Sequence, residues 1–188
     1  MLGVWKGSFG DAYTDRNQLI SPRYLMWERI LYVLPSTPEN ILEVGANIGL
    51  NLDIINKLVD TKLIGLEPNE KARSEIKFES IDGSAGAIPL ADNSVEMAFT
   101  CGVLIHIPPQ DLKKAYDEIY RVSSRYIVCI EYFADKLVEI PYRGQSGLLW
   151  KQDFGKLWMD YDLNLIDYGF FWKPVTGLDN LTYWIFQK

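Results

Sequence analysis

Apolar residues fall along this chain in short runs, separated by longer stretches with helical spacing. Residues 41–45, ILEVG, form an apolar run that stops at glycine. Leu50, Ile54 and Leu58, with Ile55 and Val59, then recur as one face of a helix. Residues 62–66, KLIGL, predict a second strand ending in Glu67-Pro68, and a short polar helix follows from Asn69. Residues 76–81 predict a third strand ending at Asp82-Gly83, and residues 94–101, SVEMAFTC, a fourth. Pro108-Pro109 opens a helix whose apolar stripe is Leu112, Ala115, Tyr116, Ile119 and Val122. Residues 125–133, RYIVCIEYF, carry the strongest strand signal in the chain. Trp150, Phe154, Leu157, Trp158 and Tyr161 line up at helical spacing, and 163–172 and 181–187 predict two closing strands.

Strands alternating with helices predict a parallel α/β sheet. The strands are continuous apolar runs, as expected where helices cover both faces. The last two strands lack a helix-length connection, so the hairpin between them predicts one antiparallel strand in a sheet of seven. Ahead of the first strand, Ser21-Pro22 is a helix start, with Leu25, Met26, Ile30 and Val33 as its apolar face and Pro35 and Pro38 as its end. The segment before it, WKGSFGDAYTDRNQ, mixes glycine, aromatics and charge, and does not pattern as core.

With no repeat, linker or low-complexity stretch, 188 residues predict a single domain, with residues 1–40 as an N-terminal segment and helix and 41–188 as the main sheet. Charged residues are 23% and the net charge is −6, which argues against a nucleic-acid partner. The two cysteines, Cys101 and Cys129, are far apart, and with one histidine they make neither a disulfide framework nor a typical zinc site. No apolar run reaches the roughly 18 residues of a membrane span, and the N-terminus lacks a signal-peptide core, so the expected location is the cytoplasm.

In open α/β sheets, ligands sit at the carboxyl ends of the strands. The first such end reads Glu43-Val44-Gly45-Ala46-Asn47-Ile48-Gly49. The glycines permit a tight turn and close approach of backbone to ligand. Glu67 stands 18 positions after Gly49, near the spacing of about 20 at which a carboxylate grips ribose hydroxyls. A dinucleotide site wants G-x-G-x-x-G, but Asn47 takes the second glycine's place, and Glu43 repels a phosphate while favouring an ammonium. S-adenosylmethionine (SAM), with adenosine, ammonium and sulfonium and no phosphate, fits better.

ILEVGANIG resembles motif I of class I SAM-dependent methyltransferases, with Glu43, Gly45 and Gly49 at its defining positions. CGVLIHIPP at 101–109 resembles the motif after the fourth strand. The resemblance spans about residues 40–188. It implies a Rossmann-like α/β fold, SAM as cofactor and S-adenosylhomocysteine as product. Its cofactor contacts would be Glu43, Gly45, Ala46, Asn47 and Gly49, then Glu67 and Pro68, then Asp82, Gly83 and Ser84, then Cys101, Gly102 and Val103. More narrowly, WKGSFGDAYTDRN, VLIHIPP and EIPYRG resemble the methylases associated with pseudaminic acid biosynthesis, which implies a sugar or nucleotide-sugar acceptor.

His106, just past the fourth strand, is a candidate general base, or else a histidine that packs to shape its loop. The N-terminal segment is a candidate lid, or else a surface arm. In the lid reading, Tyr13 and Arg16 meet the cofactor, Arg16 pairing with a carboxylate, and Asn17 meets the acceptor. Glu131, Tyr132, Tyr142 and Arg143 lie past the fifth strand and are candidates for an acceptor pocket, or else for a structural loop at the sheet edge. No metal is expected. Besides transfer to a small molecule, a regulatory subunit that holds SAM or its product without transfer stays open.

Overall fold

The computed structural model describes residues 2–17 and 23–188. Two short helices, α1 (Leu2–Lys6) and α2 (Ser8–Arg16), precede α3 (Arg23–Val33). Then come β1 (Asn40–Val44), α4 (Leu50–Leu58), β2 (Lys62–Leu66), α5 (Glu70–Ser74), β3 (Glu79–Ile81) and β4 (Val95–Cys101). A 3-10 turn (Leu104–His106) leads into α6 (Pro109–Val122) and β5 (Ser123–Glu131). A two-stranded ribbon, β6 (Val138–Glu139) and β7 (Trp150–Lys151), precedes α7 (Phe154–Trp158), β8 (Asn164–Phe171), α8 (Lys173–Thr176) and β9 (Leu181–Gln187).

The main sheet has seven strands in the order β3-β2-β1-β4-β5-β9-β8. Neighbours from β3 through β5 pair in parallel, and β9 is antiparallel to both β5 and β8. One strand of seven therefore runs against the rest, as the closing hairpin predicts. Chain order reverses between β1 and β4, which is the switch point where such sheets place ligands.

Alternate side chains of each strand feed two cores. Leu42 and Val44 of β1 pack with Leu112, Tyr116 and Ile119 of α6 and with Phe154 and Trp158 of α7. Ile41 packs on the other face with Met26, Trp27 and Ile30 of α3 and with Leu52 and Ile55 of α4. The α6 stripe is the predicted one, and all five of its residues are buried. Among the described residues, no helix is long and apolar enough to cross a membrane.

Several expected boundaries move. The third strand contracts to three residues, and Ile76 packs instead beneath Gly65, where a Cβ would stand 2.9 Å from its Cδ1. The predicted 150–161 helix is only Phe154–Trp158, capped by the Asp153 carboxylate accepting from Lys156 N–H at 2.9 Å; Trp150 belongs to β7. In α3, Leu25 faces outward and Trp27 takes the core position, with its ring on Phe99 at 4.5 Å. Ser21-Pro22, the expected helix start, lies outside the described residues. The 2–17 segment is helical, contrary to its glycine-rich look, because α1 and α2 fold against each other and onto the sheet's loops.

Phe154 is fully buried between α7 and the sheet. Phe154→Ala should therefore cost about 3–5 kcal/mol. Urea unfolding measures this, and an unchanged midpoint would contradict the packing described.

Candidate active site

The turn after β1 is built from left-handed backbone. Gly45, Asn47 and Gly49 have φ of 73°, 48° and 78°. Gly45 is required by contact as well: a Cβ there would stand 2.7 Å from Val103 Cγ2, so the loops after β1 and β4 press together at the switch point. Gly45 and Ala46 both donate to Leu66 O, at 2.8 and 3.0 Å, tying the same turn to β2.

Glu67, at the end of β2, bridges two loops. Its Oε2 accepts from Asn47 N–H at 2.7 Å and its Oε1 from Asn69 N–H at 2.8 Å. Burial raises its pKa, and those two backbone donors oppose the rise. A carboxylate has about four acceptor positions, so two bonds leave room for a diol. Asn69 then caps α5, its Oδ1 accepting from Ala72 N–H at 2.8 Å.

Glu43 of β1 is buried, and its Oε1 accepts from Asn51 Nδ2 at 2.6 Å. Asn51 Oδ1 in turn accepts from Arg23 at 3.0 Å and from Trp27 Nε1 at 3.1 Å. Burial pushes the Glu43 carboxyl up to about 8, against the bond from Asn51 and the nearby Arg23 charge. Among the described residues, its Oε2, Arg23 Nε and Asn47 Nδ2 are buried without hydrogen-bond partners.

These residues wall a cavity of about 470 Å³ at the carboxyl ends of β1, β2 and β4. Tyr13, Asn17, Glu43, Gly45, Ala46, Asn47, Glu67, Pro68, Ser84, Cys101, Gly102, Val103 and His106 all line it. Gly49 stands behind the wall as the residue from which α4 starts, above Ile76. Asp82 turns outward to Lys6 and Arg73, at 3.3 and 3.4 Å, and Gly83 packs against Leu66 and Pro89. The wall beside them is the tight turn Ser84–Ala87, closed by Ala87 N–H on Ser84 O at 2.9 Å. Arg16 is exposed and off the wall; the arginine that lines the cavity is Arg23.

Glu131, at the end of β5, and Tyr132, Tyr142 and Arg143, past it, do not line this cavity. Glu131 is fully buried and accepts from the backbone N–H groups of Val103, Leu104 and Ile105 at 3.1–3.4 Å. Tyr132 donates to Asp179 at 2.6 Å. Tyr142 packs on His106 and Phe9, and Arg143 sits at a tight turn with φ 51°, its guanidinium 5.8 Å from the Tyr142 ring. Wall residues not anticipated include Trp5, Thr14, Arg23, Asn51, Asn69, Asp111 and Lys114. Asn69 was findable as the cap two residues after Glu67. Arg23 and Asn51 had no local signal.

The N-terminal helices roof the cavity. Asn69 Nδ2 donates to Trp5 O at 3.0 Å and to Asp11 at 2.9 Å, and Thr14 meets Asn47 Oδ1 at 3.4 Å. Trp5 is the centre of an aromatic cluster, with ring centroids 5.3 Å from Phe9, 5.6 Å from Tyr13 and 4.6 Å from His106. His106 Nδ1 lies 2.6 Å from Leu148 O, a contact that requires the proton on Nδ1 and leaves a lone pair on Nε2. Burial lowers its pKa to about 4, so the ring is neutral at pH 7. Burial also pushes the Tyr13 hydroxyl and the Cys101 thiol up to about 12, which leaves neither ionised and disfavours a cysteine nucleophile.

Residues 42–125 match the sequence profile of a family described as "Methyltransferase domain", from within β1 to the start of β5. No curated protein matches the chain in sequence. In structure it is similar to a SAM-dependent methyltransferase of Leishmania major, with TM-score 0.78 and 15% identity over 98% of this chain and 80% of that one. It is also similar to the 1,6-didemethyltoxoflavin N1-methyltransferase of Burkholderia thailandensis, solved with S-adenosylhomocysteine, with TM-score 0.71 and 13% identity over 99% and 84%. A possible histamine N-methyltransferase of Thermotoga maritima aligns over 100% of both chains, with TM-score 0.69 and 16% identity. The likeness establishes a Rossmann-like methyltransferase fold.

The raised Glu43 pKa has a consequence for stability. Folded protein keeps the proton from the ordinary value of 4.5 up to about 8, whereas the unfolded chain releases it. Stability should fall as pH rises through that window. Glu43→Gln should flatten the dependence of melting temperature on pH there; identical slopes for variant and wild type would contradict the buried neutral carboxyl.

Proposed function

We propose that this chain is a SAM-dependent methyltransferase acting on a small molecule, with residues 1–188 working as one unit. The observation that carries this reading is the wall itself. Glu43 and Arg23 stand together at one part of the cavity, Glu67 at the next strand end, and the Ser84–Ala87 turn beyond it. A carboxylate beside a guanidinium suits an amino-acid group, a carboxylate with spare lone pairs suits ribose, and a small-residue turn suits a flat base. Glu43 Oε2 and Arg23 Nε, buried and unpartnered among the described residues, are groups that such a ligand would satisfy. The Glu67 carboxylate and Asn47 in place of the second glycine disfavour a pyrophosphate, and with it NAD.

Glu43 holds the ammonium and Arg23 the carboxylate of the methionine moiety. Glu67 accepts from the ribose hydroxyls. SAM, when bound, supplies a methyl group on a sulfonium, ready for in-line displacement. The chain's contribution is alignment, which in good cases supplies about 7–11 kcal/mol. Trp5 and Tyr13 roof the site and exclude water. His106 receives the acceptor's proton at Nε2, since Nδ1 is already committed to Leu148 O. The Burkholderia neighbour, whose acceptor is a small molecule, supports the substrate class. The sequence resemblance of the N-terminal segment, VLIHIPP and EIPYRG supports a sugar or nucleotide-linked sugar as acceptor. The cytoplasm fits that role.

Incubation with methyl-labelled SAM and mixtures of free and nucleotide-linked sugars, read by mass spectrometry, tests the reading. One added methyl on one compound is expected. Tight SAM binding without transfer to any acceptor would favour the regulatory subunit, and stabilisation by NAD instead of SAM would overturn both.

Two substitutions probe the roles separately. Arg23→Met should weaken SAM binding about 10–100-fold, while Arg16→Met should leave it within about 2-fold, as calorimetry would show. Equal effects would refute the choice of arginine. His106→Gln should lower kcat about 10²–10⁴-fold with SAM affinity unchanged; near-normal turnover would rule out an essential base.

A further inference from the structure

We propose that Glu131 is a positioning residue, whose buried carboxylate sets the backbone of the turn that carries His106. This rests on the reading of His106 as the acceptor-side base, but it concerns the geometry of the turn and can be tested apart from it.

Glu131 is the last residue of β5 and has no exposed surface. Its Oε1 accepts from Val103 N–H at 3.2 Å and Leu104 N–H at 3.1 Å, and its Oε2 from Ile105 N–H at 3.4 Å. Three consecutive amides converging on one anion form a nest, a backbone shape that an anion stabilises. The chain reverses into this nest at Gly102, whose φ is 68° and whose N–H donates to Ile130 O at 2.8 Å. Inside the turn, His106 N–H donates to Val103 O at 2.9 Å and Ile107 N–H to Leu104 O at 3.1 Å. The backbone of 102–107 is therefore fixed from the end of β5.

The imidazole is fixed by the chain that follows. The β6–β7 ribbon brings Leu148 O to Nδ1 at 2.6 Å and the Tyr142 ring to 5.2 Å from the imidazole. Both anchors are needed for one outcome, a single Nδ1–H tautomer with Nε2 held toward the cavity. Without the Glu131 anion, three donors, two of them buried, lose their acceptor and the turn relaxes. Val103 moves with it, and Val103 is the residue pressed against Gly45 on the cavity wall.

His106 is the only histidine of the chain, so nitrogen-15 NMR of labelled imidazole reports this one ring. The wild type should show one neutral tautomer, with the proton on Nδ1, near pH 8, where Glu131, pushed up to about 7 by burial, is mostly ionised. Full-length Glu131→Gln, which places an amide where one of the two anionic oxygens was, should show mixed tautomers and a titration moved toward the ordinary range. Its kcat should fall about 10–100-fold, and adding Glu131→Gln to His106→Gln should cause no further fall. A folded Glu131→Gln with unchanged ring signals would overturn the proposal. If that variant does not fold, hydrogen exchange in the wild type decides. Strong protection of the Val103, Leu104 and Ile105 amides is expected, and exchange at open-loop rates would overturn it. An altered ring in Glu131→Gln together with normal turnover of His106→Gln would support the positioning role and refute the base.

Discussion

Three carboxylates buried at the carboxyl ends of parallel strands organise this molecule. Glu43 ends the useful length of β1, Glu67 follows β2, and Glu131 closes β5. Removing a carboxylate from water is costly unless donors compensate. The donors here come from other loops: Asn51 for Glu43, the amides of Asn47 and Asn69 for Glu67, and three amides after β4 for Glu131. Satisfying the carboxylates therefore builds the loops. It also leaves each pKa raised by burial, with Glu43 at about 8 and Glu131 at about 7. A cationic ligand beside Glu43 relieves part of that cost, whereas a phosphate would add to it.

The roof over the cavity follows from the same network. Asn69, set by Glu67, donates to Trp5 O and Asp11 and so docks the N-terminal helices. The ion pairs Lys6–Asp82 and Lys71–Asp15 are exposed and contribute little. Aromatic packing does more: Trp5, Phe9, Tyr13, Tyr142 and His106 form one cluster that joins roof, β4 turn and ribbon. Part of the chain's 13% aromatic content is thus placed at the site and not in the two cores.

What the sequence made legible is what depends on neighbours in the chain. The Gly45–Gly49 turn, the α6 stripe and Glu67 at the end of β2 are local patterns, and each lies where its pattern points. Long-range choices were not legible. Arg16 and Arg23 are equally charged, and only the placement of α3 puts Arg23 on the wall. Glu131 satisfies the same strand-end rule as Glu67, yet the loop after β4 crosses over it, so it holds backbone instead of facing the cavity. Leu25 and Trp27 compete for the inner face of α3, and the larger ring, with an indole N–H that reaches Asn51, takes it. The β6–β7 ribbon has two-residue strands, too short for any period to show.

In the proposed mode of binding, the neutral Glu43 loses its proton when the ammonium of SAM arrives. Calorimetric titration of the full chain with SAM, near pH 7 in two buffers of different ionisation enthalpy, measures that proton directly. One site, a net release of protons to the buffer, and affinity that rises with pH up to about 8 are expected. Binding of SAM with no proton released, or no binding at all, would contradict that mode of binding.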